Sequence, residues 1–410
     1  MSTTNHDRHH RAHDDRALAP FVDDPAFELH RGGKIVVEPT APIDGPDDLA
    51  LAYTPGVGRV SQAVADDPPL GWTVTGRANA VAVLSNGSAV LGLGDIGPEA
   101  AMPVMEGKAV LFKQFGDVAA YPVCVDAPTV DEMVAIGKAI APSFGGINLE
   151  DIKAPHCFDI ERRLQDELDI PVFHDDQHGT AIVALAALTN AAKLVDKPVD
   201  ELRVAIVGTG AAGVAVAELL YDAGAGQAGT GDIIGCDSRG ILHRGRGPLH
   251  PSKQWFVEQG NADDRRGGAR EAIKGADVLL GLSGPGIIDP TWLADMKDDA
   301  IVFAMANPTP EVMPHEMPAN VAIVATGRSD FPNQINNVLA FPGVFRGMLD
   351  VRATRCTIEM KRAAADALAA LVAQPTPERI IPGAFEPGVA DAVADAVRTC
   401  AVAQGFVRDR

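Results

Sequence analysis

Beyond residue 199 the chain becomes a regular series of short, wholly apolar runs separated by helix-like stretches. Residues 204–207, 233–236, 278–282, 301–305 and 321–325 carry no alternating polar face. Strands of that kind are buried on both sides, and their alternation with helices predicts a parallel, doubly wound α/β sheet. The first run leads straight into Gly208-Thr209-Gly210-Ala211-Ala212-Gly213, and a small-residue helix is expected over 213–223. A G-x-G-x-x-G motif alone is weak, but between a strand and a helix it reads as a dinucleotide fingerprint. The first glycine permits the tight turn, the second lets a pyrophosphate approach, and the third lets helix and sheet pack closely. The next strand ends in Asp237, placed to hold a ribose 2′-hydroxyl, which favours NAD. Ser238, Arg239, Arg244 and Arg246 follow closely and leave NADP open.

A second match, Gly92-Leu93-Gly94-Asp95-Ile96-Gly97, lies in a different context. Pro98 and Pro103 follow it, so no clean helix is expected there and the segment reads as a loop. Residues 81–84 and 89–93 flank Asn86-Gly87, which predicts a hairpin. Thr129 with Glu132 predicts a helix N-terminus, with the helix running to 140. Residues 180–196 form a long helix without a polar face, expected between layers or domains. Residues 357–371 read as an amphipathic helix, and 239–268, rich in Gly, Arg and His, as an exposed excursion.

At 410 residues the chain is too long for one core. We expect a mobile polar tail (1–26), an N-terminal α/β domain (27–176) and a dinucleotide-binding domain with C-terminal helices (177–410). A net charge of −20 argues against nucleic acid or an anionic membrane as partner. No run approaches the roughly 20 apolar residues of a membrane span. Cys124, Cys157, Cys236, Cys356 and Cys400 form no Cys-x-x-Cys pair. Unpaired thiols fit a reducing, cytoplasmic setting.

Two acidic pairs carry the chemistry. Glu150-Asp151 and Asp175-Asp176 each follow a short apolar run, where a strand would end. Asp at such a place often caps a helix; two pairs at two strand ends instead point to a hard-oxygen site for Mg²⁺ or Mn²⁺. His174 and His178 read as packing residues and His156 as an ordinary loop residue. Tyr53, in a Pro/Gly-bounded loop, and Lys108, just ahead of an apolar run, are acid–base candidates. A nearby cation favours the free amine and the phenolate.

Together these motifs resemble the malic enzymes, in their short bacterial form. The match runs collinearly through LAYTPGV, VLGLGDIG, EGKAVLFK, NLEDIKAP, IPVFHDDQHGTAI, VGTGAAG, CDSRG, ANPTPE and NQINNVLAFPG. The resemblance implies metal-dependent oxidative decarboxylation of (S)-malate to pyruvate and CO₂ by a homodimer. It further implies Tyr53 as general acid, Lys108 as general base and Asp175 as the carboxylate supporting the lysine. Glu150, Asp151 and Asp176 match the metal ligands, Asn307 and Asn337 residues at nicotinamide and substrate, and 209–212 the pyrophosphate loop. Ala89 stands where larger eukaryotic relatives carry a substrate-binding arginine, so another group must hold that carboxylate. The rival readings are another metal-assisted hydroxy-acid dehydrogenase, a malolactic-type enzyme, and a non-catalytic nucleotide sensor.

Overall fold

The computed structural model describes residues 21, 23–90, 92–227 and 231–408. The tail expected over 1–26 therefore lies largely outside the described residues. Among the described residues four α-helices come first: α1 (Pro25–His30), α2 (Pro46–Ala52), α3 (Gly56–Asp66) and α4 (Gly71–Val74). Neither α1 nor α2 buries a residue, and α3 buries only Gly56.

The first sheet is built from β1 (Ala80–Ser85), α5 (Gly97–Gly116), β2 (Ala119–Cys124), α6 (Val130–Ile140), β3 (Gly146–Leu149), α7 (His156–Glu167) and β4 (Val172–His174). Its strand order is β2-β1-β3-β4, and all three pairings are parallel. The hairpin expected around Asn86-Gly87 does not form. β1 is an inner strand, paired to β2 on one edge and β3 on the other, so neither edge can take a hairpin partner. The segment after it instead folds into a loop closed by Ile96 and Gly97 N–H groups donating to the Gly87 carbonyl.

A second expectation fails beside it: a 20-residue helix, α5, does open at Gly97. Pro98 occupies its first turn, where a missing N–H costs nothing. Pro103 falls inside the helix, and α5 continues through it. The α6 N-terminus forms as expected, with Thr129 and Glu132 in a reciprocal capping box. His156 is the first residue of α7, not a loop residue.

The long helix α8 (Asp175–Leu194) starts earlier than its apolar pattern suggested, at the acidic pair itself. It is buried almost throughout and packs against the helix of the fingerprint and one C-terminal helix. The second sheet then follows: β5 (Arg203–Val207), α9 (Ala211–Asp222), β6 (Asp232–Asp237), β7 (Gly240–Ile241), α10 (Pro251–Glu258), α11 (Ala269–Ile273), β8 (Val278–Gly281), β9 (Ala300–Ala304) and β10 (Val321–Thr326). Its order is β10-β9-β8-β5-β6-β7, parallel except for the two-residue edge strand β7. The order reverses at β5, which puts a crevice at the carboxyl ends of β5 and β8. The 239–268 excursion is only partly exposed: α10 buries Phe256 against Gly235 of β6.

Three helices finish the chain: α12 (Phe341–Asp350), α13 (Ile358–Ala370) and α14 (Val389–Gln404). Gly343 and Gly347 let α12 lie directly on α14; a Cβ at Gly347 would come within 2.4 Å of the Ala394 carbonyl. α12 returns to the first sheet. Phe341 and Phe345 pack edge-on against Phe112 of α5, with centroids 4.7 and 5.2 Å away. Burying each such ring contributes about 1.5–3 kcal/mol, and the packing fixes α5 above the first sheet.

Candidate active site

The carboxyl ends of β3 and β4 lie side by side, because Leu149 pairs in register with His174. The residues that follow are Glu150-Asp151 and Asp175-Asp176. Adjacent side chains on a regular strand diverge, so both members of a pair face one point only if the chain bends. It does: Asp151 has φ 53°, and Asp175-Asp176 form the first turn of α8. The Asp151 N–H donates to Asp176 Oδ2 at 2.8 Å, joining the two turns. Glu150, Asp151 and Asp176 each present an oxygen within 4.8 Å of the others.

Such a cluster of like charges resists ionisation. Burial, with the charges of Asp176 and Glu150, pushes the Asp151 carboxyl up to about 9. Burial likewise raises Glu150, Asp175 and Asp176. Asp151 Oδ2 is buried without a hydrogen-bond partner. Three convergent carboxylates, one with an orphaned oxygen, fit a hard divalent cation such as Mg²⁺ or Mn²⁺. No histidine or cysteine joins the group among the described residues.

Lys108 reaches this cluster from α5. The sequence placed it ahead of an apolar run; it sits within the helix, 7% exposed. Its Nζ lies 2.6 Å from Asp175 Oδ2, 2.9 Å from Glu150 Oε1 and 4.3 Å from the centre of the Phe341 ring. Burial alone would lower the ammonium, but Asp175 and Glu150 outweigh it and hold the pKa above the ordinary lysine range. Without a cation, then, Lys108 is charged. Asn337 donates to the same Asp175 oxygen at 2.5 Å, bringing NQINNV to the site.

No contact among the described residues joins Tyr53 to this cluster. The tyrosine closes α2, is 67% exposed, and its hydroxyl makes no hydrogen bond among the described residues. Asn307 lies in the loop after β9, its backbone carbonyl against Gly92 of the second glycine motif. That contact sets the first sheet's loop against the crevice of the second.

In the fingerprint the glycines divide their roles. A Cβ at Gly208 would meet the Leu282 carbonyl at 2.1 Å, and one at Gly213 the Gly208 carbonyl at 1.9 Å. A Cβ at Gly210 would meet nothing within 4 Å. Gly210 caps α9 without a side chain, and Thr209 Oγ1 is buried and unpartnered. Free helix N–H groups, open space and an unsatisfied hydroxyl fit a pyrophosphate. Ala211 and Ala212 open α9, and Ala211 packs on the first sheet's core. Asp237, at the end of β6, is already engaged. Arg246 donates to both of its oxygens at 3.0 Å, Lys253 to one at 2.8 Å, and the Arg239 N–H to the other.

Several neighbours escaped the sequence reading. Asn148 donates to Glu150 Oε2 at 2.8 Å, and nothing in an apolar run flags it. Lys253 on Asp237 was likewise missed. Glu161 did leave a signal: with Cys157, Ile160 and Leu164 it lies on the buried face of α7, where a lone carboxylate needs partners.

Fold and site together define a two-domain, dinucleotide-linked enzyme, with a candidate cation site at the strand ends of the first sheet and a cofactor crevice in the second. Residues 33–165 match the family model for the malic enzyme N-terminal domain, and 177–403 that for the malic enzyme NAD-binding domain. The chain belongs to the malic enzyme family. It is 51% identical over 389 residues to an NAD-dependent malic enzyme of Geobacillus stearothermophilus, covering 94% of this chain and 80% of that one. It is 47% identical to a bifunctional malic/malolactic enzyme of Bacillus subtilis, covering 93% and 94%. The crystal structure of malic enzyme from Pyrococcus horikoshii superposes with a TM-score of 0.89 at 47% identity, covering 94% and 92%.

Proposed function

We propose that the protein oxidatively decarboxylates (S)-malate to pyruvate and CO₂, with NAD as hydride acceptor and Mg²⁺ or Mn²⁺ as the required ion. The observation that carries this reading is the convergence of Glu150, Asp151 and Asp176 beside Lys108, next to a dinucleotide crevice. Residues 27–176 serve substrate and cation, and 177–410 the dinucleotide.

When bound, a nicotinamide would supply the hydride acceptor for malate C2, and a divalent cation would supply the Lewis acid for the C2 oxygen. Glu150, Asp151 and Asp176 hold the cation. Engaged on a cation, Glu150 would no longer partner Lys108, which would weaken the hold on the ammonium and leave the amine able to take the C2 hydroxyl proton. Asp175 keeps that amine in place, and Asn337 keeps Asp175 in place. Asn307 and Asn337 supply amide donors for the substrate and the nicotinamide, in a site where Ala89 offers none. Thr209, Gly210 and the first N–H groups of α9 hold the pyrophosphate. Tyr53 returns a proton to C3 of the enol.

Tyr53 belongs to an N-terminal face that the described residues leave uncovered. Leu29, Val37 and Leu51 are 70%, 84% and 66% exposed. A second copy seated on that face gives the homodimer and brings Tyr53 to a site. The ionised Asp237 favours the ribose hydroxyls of NAD. With Arg246 and Lys253 upon it, NADP is a poorer acceptor, not an excluded one.

Reduction followed at 340 nm with malate and Mn²⁺, using NAD and NADP in parallel, tests the reading. We expect faster turnover with NAD, pyruvate as product, and loss of rate in EDTA. A stable keto acid, or full activity in EDTA, refutes it.

A further inference from the structure

One fully buried carboxylate takes no part in the chemistry above. Glu161 lies on α7, 5% exposed. Its Oε1 accepts the His174 backbone N–H at 3.0 Å and Gln165 Nε2 at 3.2 Å. Its Oε2 accepts Gln177 Nε2 at 3.2 Å and lies 2.9 Å from His178 Nε2. Three of these partners, His174, Gln177 and His178, bracket Asp175 and Asp176 on both sides.

The side chains of Asp175 and Asp176 have partners of their own, but the backbone at this junction has an open edge. β4 has three residues, is the edge strand of its sheet, and pairs only with β3. On its outer edge no further strand is available to take the His174 N–H, and Glu161 does so. α8 begins without a side-chain cap, since His174 precedes it and makes none. Yet Asp175 and Asp176 sit in that first turn, and a cation site tolerates little displacement of its ligands. The carboxylate is anchored in turn on α7, which packs across α6 and against β4.

We propose that Glu161 is the positioning residue of the cation site: it clamps the β4–α8 junction at three points and so fixes Asp176 towards Glu150 and Asp151, and Asp175 towards Lys108. This rests on the metal reading above. Glu161 is not one of the three clustered carboxylates, and its hydrogen bonds all go to side chains and backbone of α7, β4 and α8. It acts by fixing the direction in which two other carboxylates point. Partners of this kind hold metal affinity by about 10–100-fold.

The test titrates Mn²⁺ into the full-length protein without malate, by calorimetry, for the parent, Glu161→Ala, Glu161→Gln and Asp277→Asn. Asp277 is a control. It is also buried and bonded to a backbone N–H and two lysines, but lies at the opposite, amino end of β8. We expect Glu161→Ala to weaken Mn²⁺ binding about tenfold or more and to lower kcat, with the KM for NAD unchanged. Glu161→Gln keeps an acceptor for the His174 N–H and should lose less. Asp277→Asn should melt earlier and bind Mn²⁺ like the parent.

Mn²⁺ affinity within about twofold of the parent in Glu161→Ala overturns the proposal, because loss of such a support costs far more. Should that variant fail to fold, Glu161→Gln decides on the same criterion. Equal weakening in Asp277→Asn also overturns it, since the effect would then be general instability. A parent that binds no Mn²⁺ removes the metal reading itself; a parent that binds, with variants that bind equally, removes only the role of Glu161.

Discussion

Replacing Lys108 with Met keeps much of the aliphatic stem and deletes the charge that Asp175 and Glu150 share. Asp175 is fully buried, and its remaining partner would be the Asn337 amide. Removing one member of a buried ion pair costs about 3–5 kcal/mol when the other charge stays. The alternative is for the orphaned carboxyl to take up a proton. At about 1.4 kcal/mol per pH unit above an ordinary carboxyl pKa near 4, that costs about 4–5 kcal/mol near pH 7.5 and about 2 kcal/mol near pH 5.5. The sign is fixed. An acid whose folded pKa is raised holds a proton that the unfolded chain has released, so its stability falls as pH rises. The parent carries the same slope more weakly, because burial raises Asp175 there too and the Lys108 charge opposes it; deleting that charge steepens the slope, while the parent ammonium itself stays charged across the window. The metal-free variant should therefore melt on the order of 10 °C below the parent near pH 7.5. The gap should shrink to less than half of that near pH 5.5. Mn²⁺, by neutralising the same carboxylates, should narrow it at either pH, while malate oxidation stays lost. Paired melting curves at the two pH values, with and without Mn²⁺, measure this. Equal deficits at both pH values, or none, refute the buried charge cluster.

The fingerprint makes a sharper contrast in one motif. Gly208→Ala and Gly213→Ala should unfold or fail to express, given the backbone atoms in their way, whereas Gly210→Ala should fold like the parent and bind NAD at least tenfold more weakly, by fluorescence titration. Cation binding should release protons near neutral pH, because the metal-free site holds Asp151 up to about 9. Calorimetric heats for Mn²⁺ should then depend on the ionisation enthalpy of the buffer, and affinity should rise with pH. For Tyr53, separately inactive Tyr53→Phe and Lys108→Ala proteins should recover about a quarter of parental activity when unfolded together and refolded, since half of randomly paired dimers are mixed and hold one intact site. No recovery would place Tyr53 at its own subunit's site.

Much of this molecule can be read from residue order alone, and the limit has a physical cause. The dinucleotide half is legible because its strands are buried on both faces and its glycines answer local steric demands; 204–207 and 208–213 need no distant information. The acidic pairs are legible for a similar reason, as each directly follows its strand. What local pattern misjudges is pairing. Asn86-Gly87 favours a tight turn, but β1 spends both edges on β2 and β3, strands distant in sequence. Pro98 and Pro103 argue locally against a helix, yet α5 forms, with Pro98 in its first turn and its C-terminal half packed on Phe341 and Phe345 from the far end of the chain. Lys108 is buried beside Phe341 by that packing, and Asp175 and Glu150 keep it charged. Sequence order thus determines which chemical groups exist and which strand ends carry them. The tertiary structure decides which of them share a low-dielectric pocket, because burial, and with it protonation and cation affinity, depends on what surrounds a group in space and not along the chain.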